Sequence, residues 1–313
     1  MKNITEVYVG VDVSKSNLDI YIHPLEKLFK IPNTKSGIKA FTKELSKYNV
    51  AKVACEATGG YESLFANILR KKSYNIWIID PRRVRGFIIA TGCKCKTDKI
   101  DAQKIAEFAY KNSQGYTPIL KNEIHEQLQA LINRKKDLTI FLAAEKTRLK
   151  HPSHALSLVS IKKLIKTLGN EIKTIDGQIE GLVKNDKELH EKTIILESIP
   201  GIGKSSAALL LSFVPELGYL SNAKISALIG VCPYANESGK HKGKRYIRGG
   251  RAIPRRMLYM CALAAIKFNV PLKEFYDRLR TANKPFKVAI TAIMHKLIII
   301  VNSLLKKGEL CKA

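Results

Sequence analysis

The sequence predicts an α/β domain, a long helical segment and a second, mainly α-helical domain. Three observations carry that prediction. Over about the first eighty residues, short runs rich in Val and Ile alternate with helical stretches. Through the middle of the chain, apolar residues step by three and four, the spacing of one helix face. From about residue 191 the texture changes to apolar helices broken by a Gly- and Arg-rich loop.

Residues 6–13 (EVYVGVDV) alternate and read as a strand, with 18–23 and 27–31 as its hairpin partners. A helix near 35–48, a strand at 51–56, a helix near 60–72 and a strand at 75–80 follow, the last closed by Pro81. From Thr97, TDKIDAQKIAEFAYK reads as a helix with Thr97 as N-cap and acids in its first turn. A three-strand meander followed by alternating helices and strands is the element order of a ribonuclease-H-like domain. We place it at 1–115.

Residues 123–150 form a long polar helix that His151-Pro152 breaks. Ile161, Ile165, Leu168, Ile172, Ile175, Ile179 and Leu182 then make an a/d seam. The seam serves either a coiled coil between chains or a helical hairpin within one, and the segment is bounded at 116–190. Residues 191–313 form the last domain. It comprises a helix–turn–helix over IILESIPGIGKSSAALLLSF, a basic loop at 236–251, and helices near 253–268 and 284–306.

Of 313 residues, 54 are Lys or Arg and 27 are Asp or Glu, so the formal net charge is +27. Hydrophobic residues make up 45%, enough for real cores, which excludes a disordered basic tail. A charge of that size predicts a polyanionic partner and salt-sensitive association. No N-terminal apolar segment follows the first Lys, and the run Leu297 to Val301 is far short of the ~18 residues of a spanning helix. A soluble, cytoplasmic protein that does not engage membranes is the expectation. Six scattered cysteines, with one C-x-C at Cys93 and Cys95, fit reduced structural thiols better than a zinc site.

Four carboxylates in this basic chain, Asp12, Glu56, Asp98 and Asp101, fall where strands end or helices begin. An Asp within an apolar strand is costly unless it meets a cation or a donor. Gly59-Gly60 allow a sharp turn beside Glu56, and Asp98 and Asp101 share one helix face. Together they suit a Mg²⁺ (or Mn²⁺) site for phosphodiester chemistry. Singly, Glu56 also reads as a helix N-terminal acid and Asp98 and Asp101 as ordinary first-turn acids, and Glu62 and Asp80 are nearby competitors. An actin-like ATPase would need a second Gly-flanked Asp turn, and no Asp here is followed by x-Gly.

In the second half, Gly203-Lys204-Ser205 imitates a Walker A ending, but Ser198 stands where that motif needs Gly. IPGIGKSSA instead resembles a helix-hairpin-helix turn, in which Gly201, Gly203 and Lys204 could hold a phosphate; a plain helix–helix turn fits equally. From Ser238 to Arg256 the chain carries Lys240, Lys242, Lys244, Arg245, Arg248, Arg251, Arg255 and Arg256 with no acid. Ser238 beside Gly239 could attack phosphorus while guanidinium groups stabilise the developing charge; a solvated basic loop with an incidental serine is the plainer reading. Neither His241 nor another His has triad spacing with it.

The motifs GVDVSK, CEATGGY, KTDKIDAQKIA, SIPGIG and ALIGVCPYANESGKHKGKRYIRGGRAIPRRMLYM, with the closing KPFKVAITAIMHKL, resemble one family in order and over nearly the whole chain. It is the DEDD-type insertion-sequence transposases, the IS-one-ten group of bridge-RNA-guided recombinases, with Piv-type DNA invertases among its relatives. The resemblance implies a RuvC-like domain carrying the tetrad Asp12, Glu56, Asp98 and Asp101, a coiled coil, and a transposase domain carrying Ser238 as nucleophile. It further implies donor and target double-stranded DNA as substrates, a phosphoserine intermediate, Mg²⁺ on the tetrad, a guide RNA, and dimers pairing into tetramers in the bacterial nucleoid. A composite site drawing on both halves would follow. A RuvC-like junction nuclease using metal-activated water, or a nucleic-acid-binding regulator without activity, are the alternatives.

Overall fold

The structure, a computed structural model, describes residues 6–92, 98–112, 123–151, 154–238, 241–243 and 245–311, with backbone alone for 98, 99, 241 and 242. The chain forms two compact units, Met1–Pro118 and Ile119–Ala313.

The first unit is built on strands β1 (Glu6–Val13), β2 (Asn17–His23), β3 (Lys27–Pro32), β4 (Asn49–Glu56) and β5 (Ile76–Ile79). They form one sheet in the order β3-β2-β1-β4-β5. The meander β1–β3 is antiparallel, and β4 and β5 continue it in parallel with β1. Helices α1 (Lys35–Leu45), α2 (Glu62–Arg70), α3 (Pro81–Ala90) and α4 (Asp98–Lys111) complete the unit. The sheet is buried on two faces, and the period of two sorts its residues between them. Val7, Val9, Val11 and Val13 pack with Ile38, Phe41 and Leu45 of α1 and Phe65 and Leu69 of α2. Tyr8 faces the other way, with Trp77, Ile105 and Phe108.

On that second face, Gly10 admits α4. A Cβ on Gly10 would lie 2.2 Å from the Ala102 carbonyl oxygen and 2.3 Å from the Ala106 nitrogen. The helix runs antiparallel to β1. Near its C-terminal end, the Tyr110 ring meets Tyr8 at 5.3 Å and His23 at 4.8 Å, whereas Ala102 and Ala106 lie against Gly10 and Tyr21. Its N-terminal end therefore overlies the end of β1 where Asp12 stands.

The second unit contains α5 (Glu123–Arg148), α6 (Ala155–Asn185), α7 (Lys187–Glu197), α8 (Lys204–Phe213) and α9 (Asn222–Ile229). A ribbon follows, of β6 (Pro233–Tyr234), β7 (Glu237–Ser238), β8 (His241–Lys242) and β9 (Tyr246–Ile247). Helices α10 (Ala252–Phe268), α11 (Val270–Thr281) and α12 (Phe286–Lys307) close the unit. By length and composition α12 could cross a membrane, but it serves here as the central core helix, burying Ile290, Ile293, Leu297, Ile298 and Val301.

Helices α5 and α6 form a hairpin within the chain. Leu128, Ile132 and Leu138 of α5 and Ile175, Ile179 and Val183 of α6 share one core with α8 and α10. Lys135 reaches Asp176 across the hairpin at 2.5 Å. Only Ile175 and Ile179 of the seam are buried: Ile161, Ile165, Leu168, Ile172 and Leu182 are half-buried. Both helices lie within the second compact unit.

Three helices lie outside the sequence expectations: α3, α9 and α11. Asp80-Pro81 reads as the end of a strand, yet it starts α3, with Asp80 accepting from Arg82 N at 2.9 Å and Pro81 at the first position. Asn269 caps α11 in the same way, accepting from Leu272 N at 3.2 Å. The loop expected at 236–251 carries three two-residue strands, β7 and β8 paired with each other and β9 paired with β6 just before it. The expected N-cap Thr97 lies outside the described residues.

Two polar contacts pin the second core. Asn302, 2% exposed, accepts from Gly218 N at 2.8 Å and donates to Leu220 O at 3.0 Å and Asn222 Oδ1 at 2.8 Å. Arg251, at the root of the ribbon, holds both Glu216 oxygens at 2.6 Å and the Phe213 carbonyl at 2.8 Å.

Gly10→Ala should cost more than about 3 kcal/mol, because backbone rather than a yielding side chain meets the new methyl; thermal unfolding of the first unit reads it. Arg251→Ala strands the buried Glu216 carboxylate and should cost roughly 3 kcal/mol, with Arg251→Lys recovering part of it, as denaturant unfolding will show.

Candidate active site

The strand register assembles the carboxylates of the first unit. Val11 pairs with Cys55 across the parallel β1–β4 ladder, so Asp12 and Glu56, one residue further on, stand beside each other at the strand ends. Asp12 is on the same face as Gly10, hence on the α4 side, and Ala54 beside Gly10 sets Glu56 on that side too. The α4 end above them carries Asp98 and Asp101. Asp12, Glu56 and Asp101 are all half-buried. The side chain of Asp98 lies outside the described residues, and among the described ones no three ligand-type side chains stand close enough to hold one ion. The donor set is nonetheless all carboxylate oxygen, the chemistry a hard divalent cation selects.

Both competing acids have structural roles. Glu62 holds the turn after β4: one carboxylate oxygen accepts from Thr58 N at 3.1 Å, Thr58 Oγ1 at 3.0 Å and Gly60 N at 2.9 Å. That turn needs Gly59 and Gly60 at φ +71° and +113°, a region open to glycine. Asp80 caps α3 and pairs with Arg82 at 2.6 Å, and the Arg82 hydrogen bond holds its carboxyl below the usual range. One acid escaped the sequence reading. Asp19, 8% exposed, stands directly opposite Asp12 on β2, and Lys30 of β3 lies 3.4 Å from its carboxylate. The LDI pattern of β2 was the available signal, since an Asp between buried Leu18 and Ile20 on a central strand poses the same problem as Asp12.

In the second unit Ser238 is exposed on β7, paired in register with His241 of β8. The ribbon is braced by the Arg245–Glu237 ion pair at 3.0 Å, by Gly243 N donating to Asn236 O at 2.8 Å, and by the Arg248 guanidinium 5.0 Å over the Tyr234 ring. Lys240 and Lys244, and the side chains of His241 and Lys242, lie outside the described residues.

The basic residues do not form one class. Arg245, Arg248 and Arg256 are exposed. Arg251 is the Glu216 pin, and Arg255 donates to the carbonyls of Gly249 and Gly230, so both serve the fold first. Counting charge along the loop could not separate them, because their partners are distant in sequence or are main-chain oxygens. In the α7–α8 turn, Gly203 and Lys204 are exposed, whereas Gly201, at φ +106°, lies against α10, with its absent Cβ 2.7 Å from Ala265 N. Gly201 is required for packing and is not exposed as Gly203 is. Cys55 and Cys261 are buried free thiols, with burial pushing Cys55 up to about 12. Cys93 and Cys95 lie outside the described residues.

Two family models match this chain. One, described as a transposase of the DEDD type, covers residues 9–160, and the other, the transposase IS116/IS110/IS902 family, covers residues 194–277. The pilin gene-inverting protein of Moraxella bovis is 27% identical over 321 residues, which is 98% of each chain. The insertion element IS110 protein of Streptomyces coelicolor is 26% identical, over 50% of this chain and 36% of its own. The insertion element IS900 protein of Mycobacterium paratuberculosis is 23% identical over 55% and 45%. With the acid-bearing sheet inside one match and the serine ribbon inside the other, the chain belongs to the IS110 family of transposases and is a DNA recombinase.

Proposed function

We propose that the enzyme breaks and rejoins double-stranded DNA through Ser238, with Asp12, Glu56, Asp98 and Asp101 holding Mg²⁺ or Mn²⁺ on a ribonuclease-H-like, RuvC-like first unit. The observation that carries this reading is the β1–β4 register, which brings Asp12 and Glu56 together beneath the α4 end bearing Asp98 and Asp101. The meander followed by parallel strands, in the order β3-β2-β1-β4-β5, supports the fold assignment.

In this mechanism the Ser238 hydroxyl attacks a backbone phosphorus and loses its proton. A phosphoserine ester forms as one bond to a deoxyribose oxygen breaks, and that oxygen takes up a proton. Attack by a hydroxyl of the new strand reverses the exchange, so no hydrolytic energy is lost. A bound divalent ion would supply charge neutralisation at the phosphoryl oxygens. The exposed guanidinium groups of Arg245 and Arg248 stand on the segment that presents Ser238, and exposed Arg256 stands on the first turns of α10; all three can bind a nucleic-acid backbone. Exposed Gly203 and Lys204 at the start of α8 offer a second phosphate contact.

Homodimers form through the far end of the α5–α6 hairpin. Ile140, Phe141, Leu156 and Val159 are 55%, 55%, 78% and 68% exposed there, a stripe that a second copy would cover. Pairing into tetramers and guidance by a bridge RNA rest on the family resemblance. Site-specific inversion is the second reading, favoured by the end-to-end similarity to a pilin gene-inverting protein.

Denaturing gels of reactions on end-labelled DNA should show a protein-linked strand with the wild type and none with Ser238→Ala; an adduct with that variant excludes Ser238. Asp12→Ala and Asp101→Ala should abolish Mg²⁺-dependent cleavage yet leave DNA affinity within about twofold, since neither contacts phosphate. Arg248→Ala and Arg256→Ala should each lower the slope of log affinity against log salt by about 1, measured by fluorescence anisotropy. Leu156→Glu with Val159→Glu should shift the sedimentation coefficient towards monomer.

A further inference from the structure

We infer that Asp19 is a positioning residue of the cation site, one that sets its metal affinity from the strand beside Asp12. The inference rests on the reading that the carboxylates bind a divalent ion. Asp12 and Asp19 are register partners in the antiparallel β1–β2 ladder, so their side chains leave the same face from neighbouring Cβ atoms. Two residues along β2, Tyr21 shares that face and packs on Ala102 and Ala106 of α4. Asp19 therefore lies on the α4 side, towards the end of α4 that carries Asp98 and Asp101.

Two carboxylates directly opposite each other repel, and the Asp19 side chain is only 12% exposed, so water screens it poorly. A buried strand position facing a helix ordinarily carries an apolar or aromatic residue, as Tyr21 does two residues along on the same face. Lys30 is opposite Asp19 on β3, yet its side chain is 60% exposed and its ammonium is 3.4 Å from one carboxylate oxygen. Lys30 therefore offsets Asp19 through an ammonium that stays largely in solvent. Mg²⁺ keeps several of its waters when it binds through few carboxylates, and a carboxylate one strand away can accept hydrogen bonds from them. Asp19 thus has the position of an outer carboxylate, and Lys30 that of a competitor which tempers it.

The test is thermal unfolding of the full chain, in EDTA and across a Mg²⁺ titration. Asp19→Asn should raise the half-saturating Mg²⁺ concentration about tenfold, the usual effect of removing an outer-sphere partner. Lys30→Met should move it the other way by roughly threefold, because it frees the Asp19 carboxylate. Opposite signs are the signature of an electrostatic role. An unchanged half-saturation in Asp19→Asn, or a rise in both variants, overturns the inference and leaves the tetrad reading standing. If Asp19→Asn does not fold, the sign of the Lys30→Met shift decides alone. A wild type that Mg²⁺ does not stabilise, or a shift that survives Asp12→Asn, overturns the tetrad reading and this inference with it.

Discussion

The close approach of α4 to β1 at Gly10 is the contact on which the first unit depends. A helix backbone lying where a side chain would be leaves no freedom in its height or sliding position over the sheet. The acids at its start are then fixed relative to Asp12 and Glu56, which the sheet register has already placed together. The position of this helix end over the sheet is thus set by main-chain contacts, whose tolerance is smaller than that of side-chain packing. The aromatic contacts of Tyr110 with Tyr8 and His23 fix the direction of the helix.

The second unit solves a different problem: holding Ser238 on an exposed element without losing its position. The ribbon bearing Ser238 has ladders only two residues long, too short to be stable alone. Its root is fixed by Arg251 in a bidentate pair with nearly buried Glu216, and by Arg255 on the carbonyls of Gly230 and Gly249. Basic residues in this segment therefore divide between holding the ribbon and facing solvent.

Much of this was legible in the sequence. The β1 alternation, the Gly59-Gly60 turn beside Glu56 and the seam from Ile161 to Leu182 all give local signals, and the elements they mark are present. The helices that escaped, α3, α9 and α11, each begin with a good N-cap, but two of them also begin with a proline, and proline reads first as a stop. Asp19 was passed over because strand partnership is a long-range property: nothing near it in sequence says that Asp12 is its neighbour. The separate tasks of Arg251 and Arg245 were illegible for the same reason, since Glu216 is 35 residues away from Arg251.

The direction in which α4 crosses the sheet has an electrical consequence. A helix carries about half a positive charge at its N-terminal end, and here that end lies over the anionic cluster at the ends of β1 and β4. That end favours anions, so the acids of the sheet and, in the proposed reaction, a phosphate backbone would be favoured by a single piece of secondary structure.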